Sequence, residues 1–129
     1  MTDLEKAKQS GIAPWDLLQW ENAQVAVFAD RFPVAKGHLL FVPQFNTQAT
    51  VNQAFAAAIK HGEELVVSGD CDAYNVGVNM GTAAGQTVMY PHVHLIPRKT
   101  GDCADPVGGV RGVISGQANY KSGGYQLPA

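Results

Sequence analysis

Apolar positions recur with different periods along the chain, and each change of period marks an element. After a short polar lead compatible with a helical turn, WDLLQW (residues 15–20), the pair Glu21-Asn22 and AQVAVFAD (23–30) read as strand, turn and strand, with Val25, Val27 and Ala29 alternating against Ala26 and Phe28. RFPVAKG breaks that pattern, and His38-Leu-Leu-Phe-Val-Pro43 follows as a continuous apolar run, as expected of a central strand covered on both faces. From residue 50 to 68 the period becomes helical through Val51, Phe55, Ala58, Ile59, Leu65 and Val66, with Thr50 and Gln53 placed as a capping box and Gly69-Asp70 as the stop. Residues 74–80 alternate again, setting Tyr74, Val76, Val78 and Met80 against Asn75, Gly77 and Asn79, a half-buried strand with one polar face.

A turn of small residues, GTAAG, leads into residues 86–96. Their alternation places Val88, Tyr90, His92, His94 and Ile96 on one face and Met89, Val93 and Leu95 on the other. Residues two apart on a strand lie about 6.6–6.8 Å apart on the same side, so both imidazoles can reach one ligand bearing several oxygens. Pro91 supplies no N–H, which confines it to an edge, a strand end or a bulge. Beyond about residue 101 the chain is rich in glycine and reads as an extended, weakly regular arm. The pattern predicts one α+β domain over residues 1–129, an antiparallel sheet of about five strands with one main helix.

With 129 residues, 46% hydrophobic and 16% charged, one core suffices. A net charge of -2 without a basic stripe argues against nucleic acid or an anionic membrane as partner, while leaving a small anionic ligand open. The charged start MTDLEKAKQSG has no apolar signal-peptide core and no run reaches membrane-spanning length, so the cytoplasm is the expected compartment. Cys71 and Cys103 form no C-x-x-C pair and read as two free thiols.

An H-x-H pair on a strand suits a nucleophile or base, a metal ligand, or a donor to a phosphate oxygen. A metal reading would recruit His38 as third ligand, but no carboxylate stands near His92 on a strand. His61 reads as a solvated residue on the outer side of the helix, and Asp30 and Asn79, taken alone, as a turn residue and a strand-end amide.

Three ordered blocks carry a resemblance to the histidine triad family of nucleotide hydrolases and transferases. GQTVMYPHVHLIPR (85–98) is similar, without a gap, to the signature G-Q-T/S-V-x-H-x-H-x-H-x-I-P-R. Asp30 followed by FPVAKGHLLFVP resembles the family's D-x-x-P-x-x-x-G-H-x-L-V-x-P, and Asn79 with Gly81 its N-x-G. In this alignment His92 and His94 are the second and third histidines, and Tyr90 stands in place of the first. The other register, with His92 first and His94 as nucleophile, needs compensating shifts on both sides. The tail resembles that of bacterial members of the diadenosine tetraphosphate hydrolase kind.

The resemblance implies a hydrolase of nucleotide phosphoanhydrides in which Nε2 of His92 attacks the α-phosphate while its other nitrogen donates to the backbone carbonyl of residue 90. It implies that Gln86 and Thr87 bond the phosphate or bridging oxygen, that His94 stabilises the non-bridging oxygens, and that Asp30 accepts from ribose hydroxyls. Asn79 is implied to contact sugar or phosphate, and His38 to support the histidine network. Tyr90 is implied to line the substrate site. No metal and no other cofactor are required by this chemistry, and the family likeness implies a homodimer. A phosphorylase using the same His92, and a nucleotide-binding protein with little turnover, are the alternatives.

Overall fold

The computed structural model describes residues 1–122 and 127–128, and the chain divides into two compact units, Met1–Arg98 and Lys99–Ala129. The first contains α1 (Asp3–Gln9), β1 (Leu18–Glu21), β2 (Val25–Ala29), β3 (Leu39–Pro43), α2 (Gln48–Val67), β4 (Ala73–Val78) and β5 (Val93–Arg98). The five strands form one antiparallel sheet in the order β1-β2-β3-β5-β4, the α+β architecture the periodicities predict. β3 is the central strand. Its continuous apolar run is buried on both faces because α2 covers one side and the N-terminal segment the other.

Strand parity assigns the two faces. Val25, Val27, Phe41, Val93 and Leu95 pack with Ala54 and Ala58 of α2, and Tyr74, Val76 and Val78 of β4 close the same layer. Ala26, Phe28, Leu40 and Val42 point the opposite way and meet Leu4, Ala7, Ala13 and Tyr90, with Trp15 packed against them. α2 approaches the sheet closely at Gly62, where an added Cβ would lie 2.7 Å from the Tyr74 ring.

Several boundaries differ from the sequence expectation. Helix α2 begins earlier, because Thr47 and not Thr50 is its cap: the Thr47 hydroxyl accepts from the Thr50 N–H at 3.1 Å. Ile59 faces solvent, whereas His61 is half-buried with its ring 6.1 Å from that of Phe41, so it is not the solvated residue its position suggested. The first strand starts at Leu18, leaving Trp15 in an irregular segment before it. Its hairpin turns on Asn22, whose side-chain oxygen accepts from the N–H groups of Gln24 and Val25. β4 stops at Val78, and β5 starts only at Val93, so residues 86–92 are not a strand.

The second unit is not an extended arm. It is a set of turns around a 3-10 helix, Gly109–Val113, with Asn119 bridging Asp105 and the N–H groups of Lys121 and Ser122. Among the described residues no helix is long and apolar enough to cross a membrane.

Candidate active site

The loop before β5 has no strand period because hydrogen bonds inside it fix a different path. Gly85 takes a left-handed conformation, φ 93°, after the 3-10 turn Thr82–Ala84, a conformation a side chain would strain. Gln86 then clamps the loop: its side-chain oxygen accepts from the Gly81 N–H at 2.8 Å and its amide donates to the Val88 carbonyl at 3.0 Å. Both ends of that side chain are thus engaged by backbone. Thr87 is exposed, and its hydroxyl has no hydrogen-bond partner among the described residues. Pro91, which cannot donate to a ladder, sits one residue before His92 and marks where pairing is still absent.

His92 and His94 share one side of the sheet, ring centroids 5.3 Å apart. His92 Nδ1 lies 2.8 Å from the Tyr90 carbonyl oxygen. A carbonyl only accepts, so Nδ1 carries the proton and Nε2 keeps its lone pair, with no hydrogen-bond partner among the described residues. His94 has the opposite arrangement. The Val34 backbone N–H donates to His38 Nδ1 at 3.2 Å, which places the His38 proton on Nε2. That Nε2–H faces His94 Nδ1 at 2.9 Å, so His94 Nδ1 accepts and its Nε2 carries a proton to offer outward. One imidazole therefore presents a lone pair and its neighbour a donor.

Burial lowers the pKa of His94 to about 4, helped by the neighbouring His92 and His38 and opposed by Asp30. Burial likewise lowers that of His38, against the pull of Asp30, whose Oδ2 lies 3.4 Å from His38 Nε2. Both rings are neutral at pH 7, as the proton chain requires. Asp30 is held by an Asx turn, Oδ1 accepting from the Phe32 N–H at 2.7 Å. Asn79 is half-buried just beyond the end of β4, its side chain unbonded among the described residues.

Tyr90 differs from the substrate-lining role expected of it. Its side chain is 4% exposed and turned into the apolar cluster beneath α1, its hydroxyl donating to the Pro43 carbonyl at 2.5 Å. Burial, with Asp3 nearby, raises its pKa, so the phenol remains a neutral donor. Sequence reasoning missed Trp15, whose ring centroid lies 4.8 Å from that of His92 at an interplanar angle of 56°. Nothing local in the sequence announces this contact, which joins segments 77 positions apart.

Asp30, His38 and His94 turn one ligand-type atom each toward a common point, all within 4.8 Å of one another. As arranged, these residues do not fit a cation. The His38 nitrogen facing that point is the one bearing the proton, and moving it to Nδ1 would set it against the Val34 N–H.

Residues 16–101 match the model of the HIT domain. The chain belongs to the HIT family. Among its relatives, the adenylylsulfatase HINT3 of Arabidopsis thaliana is 31% identical over 91 residues, 65% of this chain and 46% of that protein. An asymmetrical bis(5'-nucleosyl)-tetraphosphatase of Schizosaccharomyces pombe is 32% identical over 87 residues, 62% and 48% of the two chains. The chain thus spans about half the length of these two relatives. Of solved structures, a Zn-bound histidine triad family protein from Mycobacterium smegmatis superposes with TM-score 0.65 at 28% identity, covering 79% of this chain and 78% of that one. The protein SMU.412c of Streptococcus mutans gives 0.62 at 32%, covering 81% and 71%.

Proposed function

We propose that this HIT protein hydrolyses phosphoanhydride bonds of nucleotides, of the dinucleoside polyphosphate kind, through a nucleotidyl group carried on His92. The observation that carries the reading is the commitment of His92 Nδ1 to the Tyr90 carbonyl, which leaves Nε2 as an unbonded nucleophile beside a histidine whose outward nitrogen donates. The names of two relatives, an adenylylsulfatase and a bis(nucleosyl)-tetraphosphatase, support a substrate with a nucleotide joined through an acid anhydride.

The Nε2 lone pair attacks the α-phosphorus as the bond to the leaving-group oxygen breaks, and His94 Nε2–H donates to a non-bridging oxygen where negative charge grows. Water then displaces the histidine. Asp30 and Asn79 are assigned to the sugar and Thr87 to the phosphate, while Gln86, its amide engaged with Gly81 and Val88, shapes the loop that presents Thr87. His38 positions His94. The working unit is proposed to be a homodimer; among the described residues β4 pairs on one side only, leaving an edge a second copy can use. Sedimentation checks that point.

Rapid quench with diadenosine tetraphosphate labelled at the α-phosphates tests the reading. Wild type should give an acid-labile protein-bound label that His92→Asn does not, and the nucleotide should go to water at the same rate with or without inorganic phosphate. Turnover without any adduct would falsify the covalent route, and product made only with phosphate present would make the protein a phosphorylase.

A further inference from the structure

Trp15 lies one residue outside the stretch that matches the HIT domain, yet its indole is the aromatic neighbour of the proposed nucleophile, 4.8 Å from the His92 ring. It is half-buried and held from several sides. Phe28 lies 6.2 Å away and Tyr90 6.4 Å away between ring centroids, and the Lys8 ammonium donates to the Trp15 carbonyl at 2.7 Å. Such a ring is fixed before any ligand arrives.

The chemistry of His92 gives that position a purpose. Its Nδ1–H is retained by the Tyr90 carbonyl, so when Nε2 forms a bond to phosphorus and the P–O pair departs with the leaving group, the ring becomes an imidazolium. Positive charge appears on a ring that is 9% exposed, and the facing His94, neutral, supplies no counter-charge from the protein side. A cation within about 6 Å of a tryptophan ring is attracted to its π-system, and the 4.8 Å separation of the two rings, tilted by 56°, lies inside that range. In the second step water attacks phosphorus, the N–P pair returns to Nε2, one water proton leaves to solvent, and the charge disappears.

We infer that Trp15 is a catalytic residue, its indole stabilising the imidazolium that His92 becomes in the nucleotidyl-enzyme. The inference rests on the nucleotidyl-histidine reading above. It assigns the residue to the covalent intermediate and not to binding of the nucleobase.

The test uses the full chain in a Trp20→Phe background, with Trp15 replaced by fluorinated tryptophans carrying successively more fluorine, each of which weakens the negative potential of the ring face at nearly constant shape. Adduct formation is followed by rapid quench with α-labelled diadenosine tetraphosphate. The logarithm of its rate should fall stepwise along the series with KM flat. Trp15→Leu should cost roughly 3- to 30-fold in the rate of adduct formation and Trp15→Phe should recover part of it. A rate that does not change along the series overturns the inference, as does a rising KM at constant kcat, which would make Trp15 a base-stacking residue. Absence of any adduct in the wild type would instead overturn the covalent reading itself.

Discussion

The two faces of the sheet are built from the same strands and do different work. Toward α2, Val25, Val27, Phe41, Val93 and Leu95 make an apolar layer against Ala54 and Ala58. On the other side the same alternation begins as core, with Ala26, Phe28, Leu40 and Val42, and ends as chemistry, with His94 directly across the β3–β5 ladder from Leu40. A shift of one residue in β5 would exchange Val93 and Leu95 for His94 and Ile96 and so destroy both layers at once. The face that holds the histidines is thus specified by the burial of the face that does not.

The comparison breaks most sharply at the proposed nucleophile. His92→Ala is expected to abolish the covalent adduct and lower kcat by about 10⁴-fold or more, while leaving the urea midpoint close to wild type, because the ring packs at the margin of the core. The matching experiment on the other face is Phe41→Ala. It should cost about 3–5 kcal/mol of stability by opening a cavity under α2, with kcat per folded molecule preserved. Denaturation and active-site titration of both variants decide the matter: if Phe41→Ala lowered kcat as much as stability, the faces would not be separable.

How much of this was legible in the sequence follows the same division. β2 and β3 were readable because they are buried, and β4 because Tyr74, Val76 and Val78, partly buried, pack alternately against the α2 layer, which imposes a period of two or a continuous apolar run. The pairing of His92 with the residue-90 carbonyl was what the family resemblance implied, and the proximity of His92 and His94 followed from their spacing of two. Residues 86–92 misled because alternation in a loop is coincidence when hydrogen bonds to Gly81 and Val88, and not a ladder, set its course. Tyr90 was misplaced for the same reason: the alternation put it with the imidazoles, whereas its ring turns into the core. The His38–His94 contact and the Trp15–His92 contact arise from chain crossings that no local pattern encodes.

His94 sharpens the comparison by belonging to both faces' logic, since its burial is structural and its donor is chemical. His94→Asn is expected to lower kcat by about 10²-fold, the loss of one preorganised donor. It should also change the pH dependence of stability. The native pKa of about 4 lies below the value near 6.5 of an unfolded histidine, so between these values the unfolded chain binds a proton that the native one does not. That contribution is complete above pH 6.5 and is lost as pH falls toward 4. Urea midpoints of wild type should therefore drop more steeply from pH 7 to 5 than those of His94→Asn, and parallel curves would show that the ring titrates as if exposed.

The smallest expected effect lies at Tyr90, where the two kinds of surface meet. Its carbonyl accepts from Nδ1 of His92, the proposed nucleophile, while its side chain serves the core, and a substitution separates the two roles because it leaves the backbone in place. Tyr90→Phe removes the hydrogen bond to Pro43 and should cost about 1 kcal/mol of stability with kcat within about threefold of wild type. Tyr90→His would supply a first histidine in the motif register the resemblance implies, but buries an imidazole in an apolar cluster lined by Leu4, Ala7 and Phe28. It should be less stable than Tyr90→Phe and no faster than wild type. Should Tyr90→His instead raise kcat several-fold at unchanged stability, the residue would belong to the chemistry of the site, and the boundary between the core and the site on this face would have to be redrawn beyond position 90.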